Sequence, residues 1–241
     1  MTPVPDVTII LLPACDSPAC DRIYAETLPL LQRSLTSIGA DPAAEIIVVE
    51  ALADAVLAEW VREQAAPDRR LTLPRLPLCS PERARNVAIA AARAPLVAFL
   101  QAGDVWYPGK LGLQRALHAG MPQLGFSFTD ALQPAADCAG LESVLAGWPR
   151  FHARQGHRKS PFLLGPDALA QLSAEKVVVT STVVARTDLL SAAGGFAAER
   201  SPTAAWDLWL RLASRSQVAC RMVPTAETAT RHSPTRRWAA A

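Results

Sequence analysis

The sequence predicts an α/β fold, a three-layer sandwich around a mostly parallel central sheet. Three observations predict it. Short apolar runs at residues 7–13 (VTIILLP), 45–50 (EIIVVE) and 96–100 (LVAFL) read as strands buried on both faces, the form strands take inside a parallel sheet. Segments with helical spacing separate the runs, and the order strand, helix, strand, helix calls for right-handed crossovers between parallel neighbours. The length of 241 residues, 50% hydrophobic and 19% charged, suits one sizeable core. α/β domains of about 200–250 residues are often single.

Each element has its own local reason. After the strand at 7–13, residues 22–39 carry apolar side chains at Ile23, Leu28, Leu31, Leu35 and Ile38, near-helical spacing closed by Gly39. A strand at 45–50 and a helix at 51–66 follow. Residues 71–78 (LTLPRLPL) are apolar, but Pro74 and Pro77 remove ladder donors, which predicts an edge or irregular strand. Ser80-Pro81-Glu82 opens a helix with an N-cap serine, a proline at the first helical position and an acid.

The stretch 85–114 organises the rest. Its helix of small residues ends at Ala94-Pro95, because the residue before a proline is pushed out of the α region. The strand 96–100 then runs into Gln101-Ala102-Gly103-Asp104. Ligands of open α/β sheets bind outside the carboxyl ends of strands, so this tetrad stands where chemistry is expected.

A helix at 109–119, a strand at 124–130 and a polar turn at 137–140 come next. Residues 140–176 show the least pattern. They hold a basic cluster, Arg150, His152, Arg154, His157, Arg158 and Lys159 around Gly156. It reads either as a surface for a phosphate or an acidic acceptor or as a solvated loop. The β-branched run 177–186 (VVVTSTVVAR) reads as a strand. A short helix at 187–194 ends in Gly194-Gly195-Phe196, and residues 203–213 (TAAWDLWLRLA) form a further helix.

Composition narrows the function. The net charge of +2 gives no reason to expect nucleic acid or an anionic membrane as partner. The cysteines, Cys15, Cys20, Cys79, Cys138 and Cys220, are odd in number, scattered, and complete no zinc pattern. They read as reduced thiols, and the expected place is the cytoplasm. No signal core precedes residue 13, and no apolar run reaches the length of a membrane span.

The blocks RNxAIxxA (85–92) and FLxAxDVWxPxKLxxQ (99–114) resemble the family 2 glycosyltransferases of the GT-A, Rossmann-like fold. Pro13 matches a proline at the end of that family's first strand. The Thr/Ser strand, the Arg-x-x-L-L helix, Gly-Gly-Phe and the W-D-L-W-L-R block match its later half. The resemblance spans nearly the whole chain. It implies one GT-A-like domain over 1–241, with a nucleotide-binding half at 1–104 and an acceptor half at 105–241.

It also implies a donor, a nucleoside-diphosphate sugar, with Pro13, Glu50, Arg85, Asn86 and Asp104 at the nucleotide. Two alternatives stay open. Glu50 contacts ribose hydroxyls or is a solvated charge at a strand end. The Arg85–Asn86 pair lies near the nucleotide or caps neighbouring loops.

The family's strand usually ends in Asp-Ala-Asp-Asp, whose first and third positions hold a cation on the diphosphate. This chain has Gln101 and Gly103 there and keeps Asp104. A divalent cation (Mg or Mn) would rest on Asp104 and His232, since one carboxylate can suffice when substrate phosphates complete the sphere. Alternatively, Asp104 caps the turn before Trp106 and His232 belongs to a loose tail.

Transfer also needs a general base to take the acceptor's proton. The family places it on the second acid of a Glu-Asp pair, where this chain has Ala204 and Ala205. Asp207 is the remaining acid nearby. At about 100° per residue it is turned roughly 200° from position 205 on a helix. The expectation is a family 2-type transferase acting on an unknown acceptor. The alternative is an inactive member that binds a nucleotide, a glycan or a partner protein.

Overall fold

The computed structural model describes residues 4–12, 24–49, 55–74, 79–137, 139–198 and 203–232. Among the described residues the sheet has ten strands, with the main path β3-β2-β1-β4-β9-β6-β10-β5. Its strands are β1 (Val7–Leu12), β2 (Ala44–Val48), β3 (Leu71–Thr72), β4 (Leu96–Gln101), β5 (Val105–Trp106), β6 (Leu124–Pro134), β9 (Val184–Arg186) and β10 (Gln217–Glu227). Two short strands, β7 (Leu141–Ser143) and β8 (Phe162–Leu163), pair with β6 and β10. The pairs β1–β2, β1–β4, β2–β3 and β6–β10 are parallel, while β9 runs antiparallel between β4 and β6.

Helices α1 (Tyr24–Ile38), α2 (Ala55–Ala65), α3 (Pro81–Ala91), α4 (Lys110–Gly120), α5 (Pro149–Gln155), α6 (Ala168–Ala174), α7 (Thr187–Ala192) and α8 (Ala204–Ala213) flank the sheet. This is the mostly parallel α/β architecture that the sequence predicts. Among the described residues, no helix is long and apolar enough to cross a membrane.

The core follows from the strand composition. Every residue of β1 is buried, and β4 is buried up to Leu100. Phe99 on β4, Phe126 on β6, Phe196 and Trp209 on α8 form one aromatic cluster, with ring centroids 5.6–6.1 Å apart at the closest pairs. Such contacts favour edge-on or tilted geometry and dominate core energetics. α3 starts as its sequence says: the Ser80 Oγ accepts from Arg83 N at 3.3 Å and Pro81 takes the first turn.

The structure differs from expectation in four places. The run 177–186 is a strand only at Val184–Arg186, because Thr180–Thr182 form a 3-10 turn. The Thr182 hydroxyl bonds back to Val179 O at 2.7 Å, a local bond that competes with a ladder. Part of the basic cluster lies on α5 rather than in a loop, since Phe151 and Gln155, four apart, give it a buried stripe. The strand at 124–130 continues to Pro134. β10 has no counterpart in the sequence reading; Pro224 breaks its pattern, and the ladder accommodates it with register shifts on both sides.

Candidate nucleotide crevice

The crevice is set by topology. β1 lies between β2 and β4, so the chain leaves it in one direction for β2 and later returns on the other side for β4. That reversal is the switch point where open α/β sheets bind ligands, at the carboxyl ends of the two strands. Leu12 and Gln101 stand opposite each other there, and Ala102 N donates to Leu12 O at 2.7 Å.

The 101–104 turn is held from α1. Ser34, fully buried, donates its Oγ–H to Asp104 O at 2.7 Å and accepts from Gly103 N at 3.0 Å. Gly103 adopts φ 92°, and a Cβ there would come to 3.0 Å from the Ala229 Cβ. Both facts favour a glycine at position 103.

Asp104 is buried, and both carboxylate oxygens are used by the protein. Oδ2 accepts from Ser181 Oγ at 2.5 Å, and Oδ1 from Ala229 N at 2.8 Å. Ser181 also accepts from Gln101 N at 3.0 Å, and its carbonyl takes the Trp106 indole N–H at 2.7 Å. Asp104 therefore ties β4, the 3-10 turn and the segment after β10 into one knot. Burial pushes its pKa up to about 6, against the Ser181 and Ala229 bonds and the Arg33 charge, which pull it down.

An acid with a raised folded pKa holds its proton more tightly in the native state, so stability is greatest below the unfolded value and falls as pH rises through about 6. The loss amounts to about 3 kcal/mol. Asp104→Asn keeps an acceptor for Ala229 and an amide for Ser181. Urea midpoints at pH 4.5, 6 and 8 are expected to show the wild type losing stability relative to this variant as pH rises.

Next to the knot stands a charged cluster that sequence reasoning missed. Arg33 on α1 pairs with Glu227 on β10 at 2.8 Å, and Tyr107 has its pKa raised by burial and then by the Glu227 charge and hydrogen bond. Nothing in the helical pattern of residues 22–39 marks Arg33. Only the pairing of β10 with β5, Glu227 opposite Val105, brings Glu227 to it.

The other sequence-predicted residues fall as follows. Pro13 and Glu50 lie outside the described residues, just beyond the ends of β1 and β2. Asn86 makes a reciprocal pair with Phe196, its Nδ2 donating to Phe196 O and its Oδ1 accepting from Phe196 N, both at 2.8 Å. Arg85 lies 5.5 Å from the Phe196 ring centroid and 3.7 Å from Glu82. The Asn86 bonds tie α3 to the turn that ends at Phe196.

Asp207 accepts from Arg211 at 2.9 Å on Nε and 2.8 Å on Nη2. Arg211 in turn reaches the carbonyls of Ala193 and Gly195. The acid anchors an arginine that clamps the glycine turn. Ala205 packs beside the core, and His232 donates its backbone N–H to Gln133 Oε1 at 2.6 Å near the end of β6.

A divalent cation does not fit these residues. Asp104 has both oxygens committed to protein donors, and no group of three or more His, Cys, Asp or Glu among the described residues is arranged to hold a metal.

No sequence profile of a known family matches the chain, and no curated protein sequence does. Solved structures do. Residues 1–349 of S. aureus TarS superimpose with a TM-score of 0.63 at 15% identity, covering 92% of this chain and 60% of that one. The fold is GT-A-like. The same TarS segment in complex with UDP gives 0.62 at 14% identity, over 92% of this chain and 59% of that one. Mannosyltransferase PcManGT from Pyrobaculum calidifontis, in complex with GDP-Man and Mn2+, gives 0.60 at 18% identity, over 98% of this chain and 59% of that one. The chain thus spans about 60% of the TarS 1–349 segment and of PcManGT, and 36% of the longer TarS chain.

Proposed function

We propose that this chain is a glycosyltransferase-like protein that binds a nucleoside-diphosphate sugar without carrying out metal-dependent transfer. The half at 1–104 holds the nucleotide, and the half at 105–241 faces whatever receives or senses it. The observation that carries the reading is Asp104: the acid retained from the metal motif is buried and used up as a structural tie. The base position agrees with it, because Ala205 has no group to take a proton and Asp207 is engaged by Arg211. Support for the nucleotide comes from the switch-point crevice and from the GT-A-like structures that carry UDP or GDP-Man. Function resides in the site and not in the fold, so the two losses weigh against catalysis while leaving a binding role.

The test uses the full chain with uridine and guanosine diphosphate sugars in the presence of manganese. Saturable binding of one donor is expected, with release of nucleoside diphosphate no faster than in buffer. Manganese-dependent hydrolysis or transfer would overturn the reading.

A further inference from the structure

We propose that Arg33 and Gln101 grip the donor's diphosphate directly, taking over the role of a divalent cation. This rests on the nucleotide-sugar reading above. The crevice holds two unspent donors. Gln101 ends β4 beside Leu12; it is half-buried, and its side-chain amide has no hydrogen-bond partner among the described residues. Arg33 is 51% exposed and uses Nη2 on Glu227, while Nε and Nη1 have no hydrogen-bond partner among the described residues.

The two come from elements locked together. Ser34, the residue after Arg33, is bonded to both Gly103 and Asp104 of the turn that begins at Gln101. The Arg33 charge is felt at Asp104 and at Tyr107.

The chemistry explains the substitutions as a set. A carboxylate at position 101 repels a phosphate unless a cation stands between them. An amide presents N–H donors to phosphate oxygens and needs no cation. A guanidinium brings the missing positive charge in a planar fork that suits phosphate. Gly103 removes the other acid, and Asp104 is already engaged by its two donors. Glu227 then acts as the resting partner of Arg33, to be displaced when a diphosphate arrives.

Calorimetric titration of the full chain with uridine and guanosine diphosphate, in EDTA and again in manganese, tests this. The wild type is expected to bind the preferred nucleotide with the same Kd under both conditions, within about threefold. Arg33→Gln is expected to weaken binding about tenfold. Gln101→Glu is expected to weaken it by about as much in EDTA and to recover in manganese, because the new carboxylate calls for a cation. Glu227→Gln frees Arg33 and is expected to tighten binding about threefold, a gain that misfolding cannot produce. Thermal melts confirm that each variant is folded.

A wild-type affinity that drops more than about tenfold in EDTA would overturn direct grip while leaving the nucleotide reading intact. Wild-type affinity in both Arg33→Gln and Gln101→Glu would do the same. Absence of binding by either nucleotide in either condition would overturn the underlying reading as well.

Discussion

Gly195→Ala is expected to cost about 4 kcal/mol of stability, a large share of what a domain of this size possesses. Two separate strains add. Gly195 sits at φ 66°, where an L-residue is penalised by its own Cβ. That Cβ would also come to 2.2 Å from Asn86 Oδ1 and 2.8 Å from Asn86 Cγ. Asn86 cannot step aside without breaking both of its bonds to Phe196, the residue whose ring packs edge-on against Phe99 and Trp209. Arg211 holds the same turn from α8, through the Gly195 carbonyl at 2.7 Å. Denaturant titration of Gly195→Ala, Asn86→Ala and the double variant checks the mechanism. Because relief of the clash is available only once, the double variant is expected to be more stable than the sum of the single losses, by about 1 kcal/mol or more. Simple additivity would mean that the clash is not what the alanine suffers from.

The second large effect concerns a buried amine. Lys110 is 2% exposed; its Nζ donates to Gln114 Oε1 at 2.7 Å and lies 4.3 Å from the Trp106 ring centroid. Burial lowers its pKa to about 7. The unfolded amine takes its proton below about 10.4, so between that value and 7 the unfolded chain binds more protons and stability must rise with pH. Over this window the group contributes on the order of 5 kcal/mol, present above the unfolded value and lost as pH falls through 7. The wild type should therefore gain roughly 3–5 °C in Tm per pH unit between 7.5 and 9.5 from this group alone. Lys110→Met keeps the apolar stem and removes the amine, and its melts are expected to lack that rise. Parallel pH profiles for the two proteins would show that the lysine is not buried in the folded state.

Lys110 and Gln114 also show where sequence reading stops. Their place in the PxKLxxQ block marks the resemblance, but not why it exists. Gln114 is a hub, its Nε2 within 3.0–3.2 Å of Ser127 O, Ser127 Oγ and Thr182 O, and Lys110 is bonded to it. The block joins α4 to β6 and to the 3-10 turn, a tertiary fact with no local signature.

The strands β1, β2 and β4 were legible because burial on both faces demands unbroken apolar runs. β10 was not, because a strand that carries Arg221 and Pro224 and changes partners along its length has no period to read. The candidate site divides in the same way. Gln101, Gly103 and Asp104 could be located by their place at and just after the end of β4. Ser34, Arg33, Ser181 and Ala229, which decide what Asp104 does, come from distant elements and meet only in the folded chain.

The proposed function requires that a sugar-nucleotide crevice persist while its acids are replaced or put to structural use. Anomalous diffraction from crystals soaked in manganese together with uridine or guanosine diphosphate tests it most directly. The account predicts a nucleotide at the carboxyl ends of β1 and β4, its diphosphate against Arg33 and Gln101, with Asp104 still bonded to Ser181 and Ala229 and no manganese peak between them. A manganese peak coordinated by Asp104 and the diphosphate would contradict it.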